Sequence, residues 1–314
     1  MHSLFKVFLR GTVSIFCFHE VSDDPSPFCR LHDLNVTPTL FGKHLDFLSD
    51  YFHFISPDEL LKGGYETPAA MITFDDGMPG YFRRALPILL ERKIPSTLFA
   101  NIAPMEGQLF WSALITYLTE FDKDFVAFLK ERRKREQGPL FLWCDKSLVE
   151  EYLKRIDSQD LEARVRKFYG EFAKLKDLET YQDNPYVFFG SHFYNHYNAA
   201  RMTQEELSEQ YVKNDERLRL LPQGRSILAY PFGQPDLCFS AVTTMKLFSL
   251  GARMVFSSSG RVNPNRPARF FDRICADSGI RRCEDLLARV QKGRLKSFIK
   301  SPPAAWGEAA ADHR

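Results

Sequence analysis

Two short stretches carry residue types that do chemistry: "TFDDG", Thr73 to Gly77, and "GSHFYNH", Gly190 to His196. In the first, a β-prone run from Ala69 to Phe74 ends in two adjacent carboxylates, which repel each other unless a cation or a proton-transfer role uses them. In the second, His192 and His196 stand at i, i+4, a spacing that on one helical turn puts both imidazoles on the same side and lets them share a metal ion. With one aspartate they make a two-His, one-carboxylate set that leaves coordination positions open, as a catalytic metal requires. Zinc is the default ion, and iron, cobalt or nickel suit the same donors. Taken singly, each stretch also reads as something plain, an Asp-Gly turn or an incidental pair of histidines. What joins them is their order, each directly after an apolar run.

The elements that must position these residues alternate in type. Thr12 to Phe18 reads as a strand stopping at His19, and Thr37-Pro38 starts a helix. Ser56-Pro57-Asp58-Glu59 is a capping box for another helix, Pro87 can open "PILLERK", and Ser96 to Ala100 is a further strand. The rhythm returns with "YVFFGSH", a second capping box at Thr203 to Glu206, and "SILAYPFG", which breaks at Pro231-Phe232-Gly233. "ARMVFSSS" and "ARFFDRI" read as final strands. This alternation predicts an α/β barrel of parallel strands, whose C-terminal ends bring His19, Asp75, Asp76, Ser191, His192 and the 231–233 turn to one face. Residues 106–182 break the rhythm with charged, amphipathic helical segments and read as an all-helical insertion. A single domain is expected over 1–296, with a disordered tail over 297–314.

Composition narrows the partners. The 314 residues hold 42 Lys plus Arg against 40 Asp plus Glu, and no long basic run is interleaved with aromatics, so nucleic acid is not expected. The "KERRKRE" cluster reads as a solvated helix face. Six cysteines contain no Cys-x-x-Cys pair, which points to free thiols in a reducing compartment. No apolar stretch approaches the ~20 residues of a membrane span, and Gly11 to Phe18 is too short for a secretory leader. A soluble, cytoplasmic protein is expected.

These motifs resemble the polysaccharide deacetylases of the NodB-homology type, which use a distorted (β/α) barrel. "TFDDG" is similar to their first motif, "GSH-x-x-x-H" to their second and "AYPFG" to their third, while "FCFHEV" and "ALPILLERKIPSTLFA" resemble their first strand and post-motif segment. The resemblance spans roughly residues 12–104 and 186–275. "AYPFG" and Arg273-Ile274 look most like the branch acting on poly-N-acetylglucosamine and related surface glycans. The resemblance implies a hydrolase that removes an N-acetyl group from an amino-sugar glycan or its lipid-linked or nucleotide-linked precursor. It implies Asp76, His192 and His196 as metal ligands, Asp75 as general base, a backbone N–H near Phe232 for the oxyanion, and Pro231 with Phe232 at the substrate.

Three departures stand out. Phe193 replaces the usual Ser or Thr after the first histidine, and Ala229 replaces the Arg that orients the base, a task open to Arg273. No histidine lies between His196 and His313, so the late histidine of the family has no match, leaving His19 or Asp75 to return the proton. Hydrolysis of another amide, such as a formamide or cyclic ureide, and a glycan-binding pseudoenzyme therefore remain alternatives. A glycosidase using Asp75 and Asp76 ranks last, because adjacent carboxylates seldom span the ~5 Å such chemistry needs.

Overall fold

Seven principal strands frame the computed structural model, which describes residues 2–134, 136–156, 160–277 and 279–299. They are β1 (Thr12–Phe18), β2 (Ala69–Asp76), β3 (Ser96–Ala100), β4 (Val187–Ser191), β5 (Gly224–Ala229), β6 (Met254–Ser257) and β7 (Phe270–Asp272). Each pairs in parallel with the next. β1 to β4 are buried along their whole length. Helices cover one face and the barrel interior fills the other, so these strands read as near-continuous apolar runs.

Closure turns on one residue. Asp272 pairs with Ser257 of β6, whereas Ile274 pairs with Phe16 of β1. Arg273, between them, therefore sits at the seam where the 10-stranded sheet curls back on its own first strand. Asn263–Pro264 adds an antiparallel segment beside β1, which makes the sheet mixed. The result is the nearly closed, distorted (β/α) barrel expected.

The strand period of two sorts the core. Ala69 and Met71 join Val13, Ile15, Phe99 and Ile227 inside the barrel, while Ala70, Ile72 and Phe74 pack outward against helices. Both expected capping boxes form, at Ser56 with Glu59 and at Thr203 with Glu206. Pro87 falls one residue inside its helix: a π-helical turn over Tyr81–Ala85 runs straight into Leu86–Glu91, whose first turn holds Pro87. A helix at His2–Leu9 was not anticipated; Phe5 and Leu9 seat it on the core. At the other end, Cys283–Ile299 stays helical past residue 296, and residues 300–314 of the expected tail lie outside the described residues.

The segment after β3 is all helical, with α-helices at Trp111–Phe121, Lys123–Arg132, Lys146–Leu153, Leu161–Tyr169 and Leu175–Thr180 and a 3-10 turn at Leu140–Trp143. Phe125, Leu129, Val149 and Val165 build its core, which takes in Phe28 of the helix Pro27–His32 and Met78 after β2. This shared packing sets the insertion against the carboxyl ends of the strands.

Candidate active site

By strand alternation Asp75 points into the barrel and Asp76 should point away. A left-handed turn defeats that rule. Asp76 has φ 68°, and Gly77 N–H donates to the Asp75 carbonyl at 2.9 Å, a γ-turn that brings the second carboxylate back to the same mouth. The third-motif loop repeats the device: Phe232 has φ 61° and Gly233 N–H donates to the Pro231 carbonyl at 2.7 Å. Gly233 is required there, because a Cβ would lie 2.9 Å from the backbone nitrogen of Ser258. Among the described residues seven non-glycines have positive φ, and four of them, Asp76, Phe193, His196 and Phe232, belong to these loops. Such strain clusters where surrounding structure holds a site in shape.

The two histidines do not share a helical turn. Residues 192–198 form an irregular loop, and His196 reaches His192 because Phe193 and His196 both adopt left-handed φ, 58° and 65°. Asp76, His192 and His196 nonetheless bring one donor atom each within 4.8 Å of one another. His196 Nε2 lies 3.1 Å and His192 Nε2 3.6 Å from Asp76 Oδ1. His192 Nδ1 pairs with the Ala229 carbonyl at 2.8 Å, so it carries the proton and Nε2 keeps its lone pair. Asp76 Oδ1 is buried without a hydrogen-bond donor. A bare His192 nitrogen and the His196 ring, both beside a buried carboxylate oxygen, are a donor set that fits a divalent cation. Burial pushes His192 down to about 4, which keeps it a neutral ligand at physiological pH.

Asp75 has a different partner. The fully buried Arg273 clamps it with two bonds, Nη1 to Oδ1 at 2.6 Å and Nη2 to Oδ2 at 2.7 Å, and the Cys17 thiol donates to Oδ2 at 3.3 Å. Burial alone would raise the carboxyl, but Arg273 and His192 outweigh it and hold Asp75 well below the usual carboxylate range. His19 sits beside it, with a donor atom within 4.8 Å. Its Nδ1 bonds Asp277 Oδ2 at 2.7 Å. Burial opposes the charge on His19, yet Asp277 overcomes it and lifts the imidazolium to about 10.

Sequence reasoning missed the supports. Asp277 follows Ile274–Cys275, and only barrel closure brings it under His19. Asn101, at the end of β3, donates its amide to the carbonyls of both His192 and Phe193, the latter at 2.8 Å. Asn214, on the helix Gln204–Arg219, donates to the Ala100 carbonyl at 2.8 Å and Ser191 Oγ at 2.9 Å, and accepts from Ile102 N–H at 3.0 Å. Both asparagines are fully buried. They hold the histidine loop where Phe193 offers no hydroxyl.

A cavity of about 330 Å³ opens over these groups, lined by His19, Asp75, Asp76, His192, His196 and Phe232 among others. Pro231 is buried and does not line it; its carbonyl shapes the γ-turn instead.

Residues 62–255, more than half of the chain, match the polysaccharide deacetylase family, and the chain belongs to it. It is accordingly a carbohydrate de-N-acetylase by class, a hydrolase of carbon–nitrogen bonds other than peptide bonds. The fold is similar to that of the Streptococcus pyogenes deacetylase PplD, at TM-score 0.57 and 16% identity over 89% of this chain and 98% of that one. It is similar also to IcaB from Ammonifex degensii (TM-score 0.53, 19% identity, 85% and 93% covered) and to a de-N-acetylase from Aggregatibacter actinomycetemcomitans (TM-score 0.56, 14% identity, 89% and 100% covered). No curated protein matches the sequence significantly. Among the described residues no helix is long and apolar enough to cross a membrane.

Proposed function

We propose that this chain hydrolyses the acetamide of an N-acetylated amino sugar, a glycan or glycan precursor of the surface-polysaccharide type, with Asp76, His192 and His196 holding a divalent metal. The observation that carries the reading is the convergence of those three donors within 4.8 Å beside a separately clamped carboxylate. Zinc suits the donors, as do iron, cobalt and nickel. A metal bound there supplies Lewis acidity, which makes water acidic enough to deprotonate near neutral pH.

Asp75 takes the proton of the attacking water. Its bidentate pairing keeps it ionised at neutral pH and fixes the aim of its oxygens. The developing oxyanion is received by the Phe232 backbone N–H, presented by the strained turn. His19, charged and anchored at Nδ1 by Asp277, gives a proton to the leaving nitrogen as the C–N bond breaks, releasing acetate and a free amine. This pair takes the place of the late histidine the family would supply. The six cysteines are free, including the strand neighbours Cys17 and Cys275, which supports a reducing, cytoplasmic setting.

Elemental analysis of purified wild type beside His192→Ala and His196→Ala is the test, followed by acetate and formate assays on N-acylated sugars. About one equivalent of metal, lost in both folded variants, with acetate as product, is the expected result. Protein that binds no zinc, cobalt or iron after loading overturns the reading, and formate as the preferred product replaces it with another amide hydrolase.

A further inference from the structure

The helices His2–Leu9 and Cys283–Ile299 each bury one face in the same core, where Phe5 and Leu9 join Leu286 and Val290. Their outer sides are also apolar. Leu4 is 76% exposed, Val7 68%, Leu295 55% and Phe298 66%. Among the described residues ten large apolar side chains are exposed, and these two helices carry four of them. Scattered singly such groups need no explanation, but gathered together they mark a contact surface. The two faces adjoin through Arg294, whose Nε donates to the Phe8 carbonyl at 3.4 Å while its guanidinium lies 4.4 Å from the centre of the Phe298 ring.

The charge around those side chains has one sign. Neither 2–10 nor 289–299 contains an aspartate or glutamate, whereas Lys6, Arg10, Lys292 and Lys296 are all exposed there. Of the residues lining the groove beside Lys6 and Arg10, one is a carboxylate, Glu66. Possible occupants meet this pattern differently. A second copy of the chain, docked about a two-fold axis, would set cations against cations. A nucleic acid neutralises the cations but gives Leu4, Val7, Leu295 and Phe298 no apolar partner. An anionic bilayer answers both needs, because its acyl boundary receives the apolar side chains while the lysine and arginine head groups stay level with the lipid phosphates.

Arg10 and Gly11 link the first helix to the amino end of β1. Ser297 Oγ donates to the Val262 carbonyl at 2.6 Å, next to the Asn263 that pairs with Val13, so the last helix reaches the same end. His19 and the cavity follow the other end of β1. We propose that the face formed by His2–Leu9 and the second half of Cys283–Ile299 docks on an anionic lipid bilayer, with the catalytic mouth at the far end of β1. The chain rests on the bilayer there, since no helix among the described residues is long and apolar enough to cross it.

Co-sedimentation of the full chain with vesicles tests this without any assay of activity, so it stands or falls apart from the de-N-acetylase reading. An equimolar mix of phosphatidylcholine and phosphatidylserine is expected to bind the protein about tenfold or more tighter than phosphatidylcholine alone, and high salt to erase the difference. The double variant Lys292→Ala with Lys296→Ala should bind the mixed vesicles about twenty-five-fold more weakly, roughly fivefold for each cation lost. Leu4→Ser with Phe298→Ser leaves the charge unchanged and should weaken binding by about tenfold or more. All four side chains are exposed, so circular dichroism should overlay wild type; wild type on the two vesicle compositions decides the matter if a variant misfolds. Equal binding to both compositions, or to neither, overturns the proposal. So does duplex DNA bound more tightly than the mixed vesicles and indifferently to Leu4→Ser with Phe298→Ser, which makes the face a polyanion site, or a dimer that the same variant dissociates.

Discussion

Arg273 and Asp75 stand 198 residues apart and form one buried ion pair. Removing one partner of such a pair strands the other's charge in a low-dielectric interior, at a cost of about 3 to 5 kcal/mol. Arg273→Met should therefore destabilise the fold by that amount in urea titration. With the cation gone, the Asp75 carboxyl rises, so the acid limb of kcat/KM moves to higher pH. Arg273→Lys should recover part of the stability but not the profile, because an ammonium cannot match the two-point clamp. A pH–rate profile of the lysine variant that overlays wild type would show that the clamp has no role in catalysis.

At the scale of elements, the histidine loop has no regular hydrogen bonding of its own and borrows its shape from neighbours. Asn101 anchors it to β3, and Asn214 ties the strand before it to the helix Gln204–Arg219. Outer partners of this kind tune metal affinity by about 10- to 100-fold. Asn101→Ala should weaken zinc binding by that factor in chelator competition and leave far-ultraviolet circular dichroism unchanged. Asn101→Asp should be worse, since a carboxylate would face two carbonyl oxygens. An affinity unchanged in both variants would mean that the loop holds its shape unaided.

Across the whole molecule, one acid-sensitive joint lies away from the cavity. His44 is fully buried on the helix Pro38–Ser49, which packs on Cys283–Ile299, and neither ring nitrogen has a hydrogen-bond partner. Burial pushes it down to about 4, with Asp285 opposing only in part. The folded pKa lies below the unfolded one, so the native state resists the proton. The stability held at neutral pH drains away as pH falls from about 6.5 to about 4, to a total of about 3 kcal/mol. Denaturation midpoints measured over that interval should fall for wild type and fall less for His44→Leu, in which His192, pushed down to about 4 as well, still contributes. Parallel slopes for the two proteins would discard this account.

Much of the site was legible in the amino-acid sequence because its chemistry sits in contiguous stretches. Asp75 and Asp76 end an apolar strand, His192 and His196 stand four apart, and capping boxes at Ser56 and Thr203 mark helix starts through local bonds alone. Local pattern also separated the helical insertion from the barrel alternation. What the sequence could not determine depends on distance along the chain or on backbone torsion. Asp277 meets His19 only when the last strand folds back on the first, and the same closure seats Arg273 on Asp75, a partnership that the family resemblance had offered but no local pattern fixed. The left-handed torsions that turn Asp76 and His196 into the site contradict the strand and helix periods that ordinary residues obey, and tertiary packing alone holds them. The ring contacts around the cavity join the helix Pro27–His32, Phe141 and the third-motif loop, and no single segment contains enough of them to be recognised.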